Sequence, residues 1–183
     1  YNLNAIVMDA FTQFKFSYKK TDFYLAQSFS RSQYEREGLY RNGIYANTSY
    51  GKSGKQIFEN FGFKGGFTYK ITGQHLLDFN GAYMTKAPNM RNTFANARIN
   101  NNITPDLESE QITSLDASYI MRTPKFKARL TGFASKVQNA TEISFYYAEG
   151  IGDDDDGDVD SFISEILTGI EKKNFGAELG LEY

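Results

Sequence analysis

Cysteine and tryptophan are absent from this 183-residue chain, histidine occurs once, and proline three times. Without cysteine there is neither a disulfide framework nor a thiolate to act as nucleophile or metal ligand. A single histidine, His75, gives no partner at metal-ligand spacing and reads as a polar turn side chain. No serine–acid–histidine arrangement sets up a catalytic frame, so no enzyme and no cofactor are expected. Charge of one sign is also lacking: 20 Lys and Arg stand against 22 Asp and Glu. That excludes a global basic field of the kind that gathers nucleic acid. No apolar run approaches the roughly 18 residues of a membrane-spanning helix.

Aromatic residues are plentiful, with Phe (16) and Tyr (13) reaching 16% of the chain, and glycine is common. They are distributed with period two. Ile57, Phe61, Phe63, Phe67, Tyr69 and Ile71 fall on one side of an extended chain, and Asn60, Gly62, Lys64, Gly66, Thr68 and Lys70 on the other. Near the start, Ile6, Met8, Phe14, Phe16 and Tyr18 oppose Asp9, Gln13, Lys15 and Ser17; at the end, Phe175, Ala177, Leu179 and Leu181 oppose Asn174, Gly176, Glu178 and Gly180. The same alternation sets Leu77 and Phe79 against Asp78 and Asn80, Leu115 and Tyr119 against Asp116, and Leu130 against Lys127 and Arg129. The stretch from Phe23 to Arg31 is the least clear, because both sides carry aromatics.

About seven antiparallel strands follow, at 3–18, 22–36, 55–71, 74–86, 110–122, 125–147 and 165–183. Several are much longer than the roughly 5–6 residues of a typical soluble strand. Their connections alternate between tight turns ("KKTD", "TGQH", "RTPK") and long polar links at about 37–54, 87–109 and 148–164. That alternation is the pattern of an all-β, up-and-down membrane barrel. A Lys or Arg facing lipid at mid-membrane costs about 2–4 kcal/mol, so Lys64, Lys70, Lys127 and Arg129 are expected to face a lumen or plug, and the apolar sides lipid rather than a second sheet.

Three motifs lead nowhere further. "GKSGKQ" (51–56) has Ser49 and Gln56 where a phosphate loop needs Gly and Ser or Thr, and reads as an exposed loop. The sequons at Asn47, Asn102 and Asn139 are of a kind that arises by chance. The acidic run Asp153, Asp154, Asp155, Asp156, Asp158 and Asp160 fails the calcium-loop test, since Gly152 and Ile163 stand at the first and twelfth positions. It reads as a solvated loop, with weak calcium binding through its carboxylates as the alternative.

The segment "GAYMTKAPNMRNTF" followed by "NNITPDLESEQITSLDASY" resembles the late barrel of TonB-dependent outer-membrane receptors, in which an aromatic strand ends in Arg-Ala-Pro and the next opens with Asn-Pro-x-Leu-Lys-Pro-Glu. Lys86, Ala87 and Pro88 stand for the first motif; Thr104, Pro105, Asp106, Leu107, Glu108, Ser109 and Glu110 stand for the second, with Pro105, Leu107 and Glu110 at the strongest positions. The resemblance covers about residues 60 to 183. It implies a Gram-negative outer-membrane barrel of about 22 strands enclosing a plug domain, powered by the inner-membrane TonB complex and importing a scarce small solute or glycan. Under this reading the chain, which begins at Tyr1, is a contiguous part of a larger barrel. Its loops face outward, the acidic run among them. Lys64, Lys70, Asp78, Asn80, Asp116, Lys127, Arg129 and Glu178 then form a lumen row facing the plug. The other expectation is a structural or adhesive outer-membrane barrel that binds a surface partner without energy coupling.

Overall fold

The structure, a computed structural model, describes residues 1–148 and 161–183. The acidic run from Asp153 to Asp160 lies outside the described residues. The chain forms one antiparallel meander of β1 (Asn2–Tyr18), β2 (Thr21–Gly38), β3 (Gly51–Lys52), β4 (Gln56–Lys70), β5 (His75–Lys86), β6 (Glu110–Arg122), β7 (Lys127–Ala148) and β8 (Ser161–Glu182). The order across the sheet is β1-β2-β4-β5-β6-β7-β8, with the two-residue β3 added to the end of β2. No α-helix occurs among the described residues; Gly43–Tyr45 and Met90–Thr93 form short 3-10 turns in the long links. The seven long strands match the periodicity to within a few residues. The clearest difference is β8, which starts at Ser161 rather than near 165.

Two of the tight turns are closed by a threonine. The Thr72 hydroxyl accepts from the backbone N–H groups of Gln74 and His75, and the Thr123 hydroxyl accepts from that of Phe126. A short side chain that bonds the backbone two or three residues on stabilises a turn locally. At the β1–β2 turn, Lys19 takes a positive φ of 51°.

Directly paired residues of an antiparallel ladder lie on the same face. From the register, Phe14, Leu25, Gly65, Gly81, Leu115, Ala134 and Phe175 form one row of a first face. The next row toward the turns holds Phe16, Phe23, Phe67, Phe79, Ala117, Gly132 and Ala177. This apolar face is uncovered: Phe63 is 57% exposed, Leu115 62% and Phe175 85%. Among the described residues the buried apolar side chains are few (Tyr34, Ala87, Pro88, Phe94 and Ala140) and none belongs to that face's aromatic rows. The sheet therefore has no second layer on its apolar side, unlike a soluble sandwich.

Burial concentrates instead where the long links meet the opposite, polar face. Ser32, Tyr34, Arg36 and Gly38 alternate as buried positions along the end of β2, and Ser49, Ser53, Pro88, Thr93, Phe94, Asn100 and Thr104 are buried in the links themselves. The stretch read as an exposed "GKSGKQ" loop is ordered here. Gly51–Lys52 pairs with Glu37 and Gly38, and buried Ser53 is bonded to β2. Sequence patterning had no means of showing that a polar link folds back over a polar face.

Candidate functional site

The register sets the eight lumen-row residues named from the sequence on one face, in five successive rows. Lys64 lies in the row of Ala26, Ala82 and Ser114; Asn80 and Asp116 are paired neighbours in the next. Asp78 and Glu178 share the third row with Asp22, Thr68, Ser118 and Thr131. Lys70 and Arg129 share the fourth, and Lys127 lies in the fifth beside Glu182.

Contacts within this face are specific. The Asn80 side-chain amide donates to Asp78 Oδ2 at 3.0 Å and to Asp116 Oδ2 at 2.9 Å, so one neutral group holds two carboxylates together. Its Oδ1 accepts from the Tyr24 hydroxyl at 3.2 Å, and Thr68 donates to Asp78 Oδ1 at 2.5 Å. Lys70 pairs with Asp22 at 2.6 Å, and Lys127 with Glu182 at 2.8 Å. Arg129 donates to the Ser118 and Thr131 hydroxyls and has no carboxylate partner. Among the described residues Lys64 and Glu178 have no hydrogen-bond or ion-pair partner. Asn80, Asp116, Arg129, Thr131, Phe133 and Glu178 line an open recess of about 510 Å³. The face thus offers hydrogen-bond donors and acceptors and charges of both signs.

Aromatics on the polar side are accommodated by glycines across the strand. A Cβ at Gly66 would sit 2.2 Å from the Tyr24 ring, and one at Gly176 would sit 2.9 Å from that of Phe133. Tyr24, Gly66, Asn80, Asp116, Phe133 and Gly176 all belong to one row. Each ring occupies the space a neighbouring side chain would take, which pins register as cross-strand aromatic–glycine pairs do.

Arg36 carries no signal in the sequence. It is 2% exposed, and its guanidinium donates to the Ser49 carbonyl at 3.0 Å, the Ala97 carbonyl at 2.6 Å and Asn101 Oδ1 at 2.5 Å. Its backbone exchanges hydrogen bonds with Ser53, and the Tyr1 ring lies 5.5 Å from its Cζ. Asn101 in turn donates its N–H to the Thr48 carbonyl at 2.7 Å. One side chain thereby joins β2 to both of the long links, 39–55 and 87–109. Period two places Arg36 on the polar side, but its burial depends on the links. Asn60, on the polar side of β4, is 1% exposed and has no partner for either side-chain polar atom among the described residues.

The family-motif residues build the junction between β5 and β6. Lys86 ends β5 and pairs in register with Glu110, which opens β6. Ala87 and Pro88 are buried. Thr104, 3% exposed, donates its hydroxyl to the Asn92 carbonyl and its N–H to the Thr93 carbonyl. Pro105 is exposed, Asp106 adopts a φ of 50°, and half-buried Leu107 follows. His75 stacks on Tyr119 and shares a 2.6 Å contact with its hydroxyl, as suits a side chain at a turn.

No protein-family description matches the chain, and no curated protein matches it in sequence. Among solved structures, the copper transporter OprC superposes with a TM-score of 0.68 at 17% identity, over 94% of this chain and 26% of that one. The fold is shared with a transporter. The chain spans about a quarter of OprC's length. The siderophore receptor PirA from Acinetobacter baumannii aligns over 99% of this chain and 35% of its own, with a TM-score of 0.45 and 11% identity.

Proposed function

We propose that the chain is part of the barrel wall of a TonB-dependent outer-membrane receptor that captures and imports a scarce solute. The observation that carries this reading is a single-layer sheet with an uncovered apolar face opposite a polar, partly unpartnered one. On β4 and the turn after it the apolar side runs from Phe61 to Ile71. Ten residue steps span about 33 Å along a strand and roughly 25 Å when tilted by about 40°, the height of a barrel's lipid-facing band. At the turn end Tyr18, Tyr69 and Tyr119 fall in one row of that face, where a membrane-interface girdle belongs. At the other end the band gives way to the Arg31–Glu59 pair. The polar face is then luminal. Lys64, Arg129, Asp78, Asp116 and Glu178, none with a partner of opposite charge among the described residues, offer complementary contacts to a plug domain. The loop cluster around Arg36 sits at the outer mouth and helps to frame the solute's entry.

Uptake measurements test this. Cells with and without the gene are compared for accumulation of metal ions and metal chelates, copper first, with the proton-motive force intact and collapsed. Energy-dependent loss of one solute on deletion is the expected result. Unchanged uptake of every solute, with loss of binding to a surface partner, overturns it in favour of an adhesive barrel.

A further inference from the structure

The band of aromatics on the apolar face is broken in one place. Gly65 and Gly81 are directly paired, so two adjacent strands lack a side chain in the same row, between Leu25 on one flank and Leu115 on the other. Two clefts of about 610 and 440 Å³ meet over this glycine floor. One reaches toward Phe67 and Phe79, the other past Phe63 and Tyr83 to Thr113.

The second cleft ends beside a cationic cluster. Thr113 is paired in register with Lys136, and Lys136 with Lys173, so all three lie on the apolar face in the row of Phe63 and Tyr83. Glu171 is the carboxylate for both lysines, at 2.8 Å from Lys136 and 2.7 Å from Lys173. Two ammonium groups against one carboxylate leave one positive charge in surplus. On the other flank Arg31 and Glu59 neutralise each other. An apolar trench that opens onto an unbalanced positive charge matches an acyl chain joined to a phosphate.

We propose that this groove docks a phosphorylated, acyl-chained lipid, with a chain lying over Gly65 and Gly81 and the phosphate beside Lys136 and Lys173. The proposal rests on the reading of this face as lipid-facing. A peptide segment fits poorly, because the backbone beneath the groove is already paired within the sheet and a strand laid in it would leave its own polar groups unsatisfied. A zwitterionic headgroup brings a second cation to a place that already has one in excess.

Native mass spectrometry of the detergent-purified protein tests it, with dioleoyl phosphatidic acid and dioleoyl phosphatidylcholine offered at equal concentration. Phosphatidic acid should be retained in preference by roughly fivefold, the scale of a single added cation near an anionic lipid surface. The double variant Lys136→Gln and Lys173→Gln should abolish the preference, and the Arg pair at both positions should restore it. Gly81→Val should reduce adducts of both lipids, since a Cβ there meets the flexible end of Leu115 at 3.1 Å and the Ser114 carbonyl oxygen at an ordinary 3.9 Å. A preference that survives the double Gln variant, or adducts untouched by Gly81→Val, overturns the groove. If the protein inserts into liposomes but retains both lipids equally, only this inference falls. If it does not insert, the outer-membrane reading falls with it.

Discussion

Replacing Arg36 by Met tests the loop cluster. Methionine fills much the same volume and removes every donor, leaving the Ser49 carbonyl, the Ala97 carbonyl and Asn101 Oδ1 without their partner. An unsatisfied buried acceptor costs about 1–3 kcal/mol. Part of that is recovered, because a guanidinium without a carboxylate no longer has to be desolvated, and part because water enters once the links lift. A net loss on the order of 3 kcal/mol follows for the closed cluster, against no change for the strands. Hydrogen exchange reads this residue by residue. The amides of Asn101, Ala95 and Thr104, bonded to Thr48, Asn102 and Thr93, should exchange roughly a hundredfold faster. Those of paired Phe63 and Tyr83 should keep their protection. A change below about threefold in the link amides, or equal loss in β4 and β5, would refute the claim that Arg36 holds the links.

Gly38→Ala should dislodge the same cluster by steric means, since the new Cβ would lie 1.6 Å from the Ser49 carbonyl oxygen; accelerated proteolysis of 39–55 with intact strands is the readout. Gly66→Ala should push the Tyr24 ring off its site and break its bond to Asn80, costing about 1–3 kcal/mol in denaturant unfolding. Pairing it with Tyr24→Ala should recover only the part of that loss owed to the ring, because the same Cβ would also lie 2.3 Å from Asn80 Oδ1. Asn80→Leu should leave Asp78 and Asp116 without their common donor, costing about 1–3 kcal/mol in denaturant unfolding.

The strands were legible because their two environments differ and the side-chain period is fixed at two. Phe61 to Ile71 reads as apolar on one side whatever its neighbours are. Strand β2 resisted that reading because Tyr24 and Tyr34 sit on its polar side, and Tyr24 is explained only by Gly66 across the ladder, a fact of register rather than of local sequence. The bulge between β7 and β8, with Asn139 at a φ of 58° and Gly169 at 70°, shifts the alternation and hid the first residues of β8. Residues named for the polar face came out together because parity alone decides the face. The burial of Arg36 did not show, because it depends on where two long links fold, and links carry no period.

The absence of cysteine makes the central claim directly measurable. Single cysteines at positions 61, 63 and 67 and at 62, 64 and 66 can each carry a spin label in the protein reconstituted into liposomes. The account predicts strict alternation, with the Phe61, Phe63 and Phe67 positions accessible to dissolved oxygen and shielded from a water-soluble nickel chelate, and Gly62, Lys64 and Gly66 the reverse. Equal accessibility of the two sets to the nickel chelate would show that the apolar face does not meet lipid, and would contradict it.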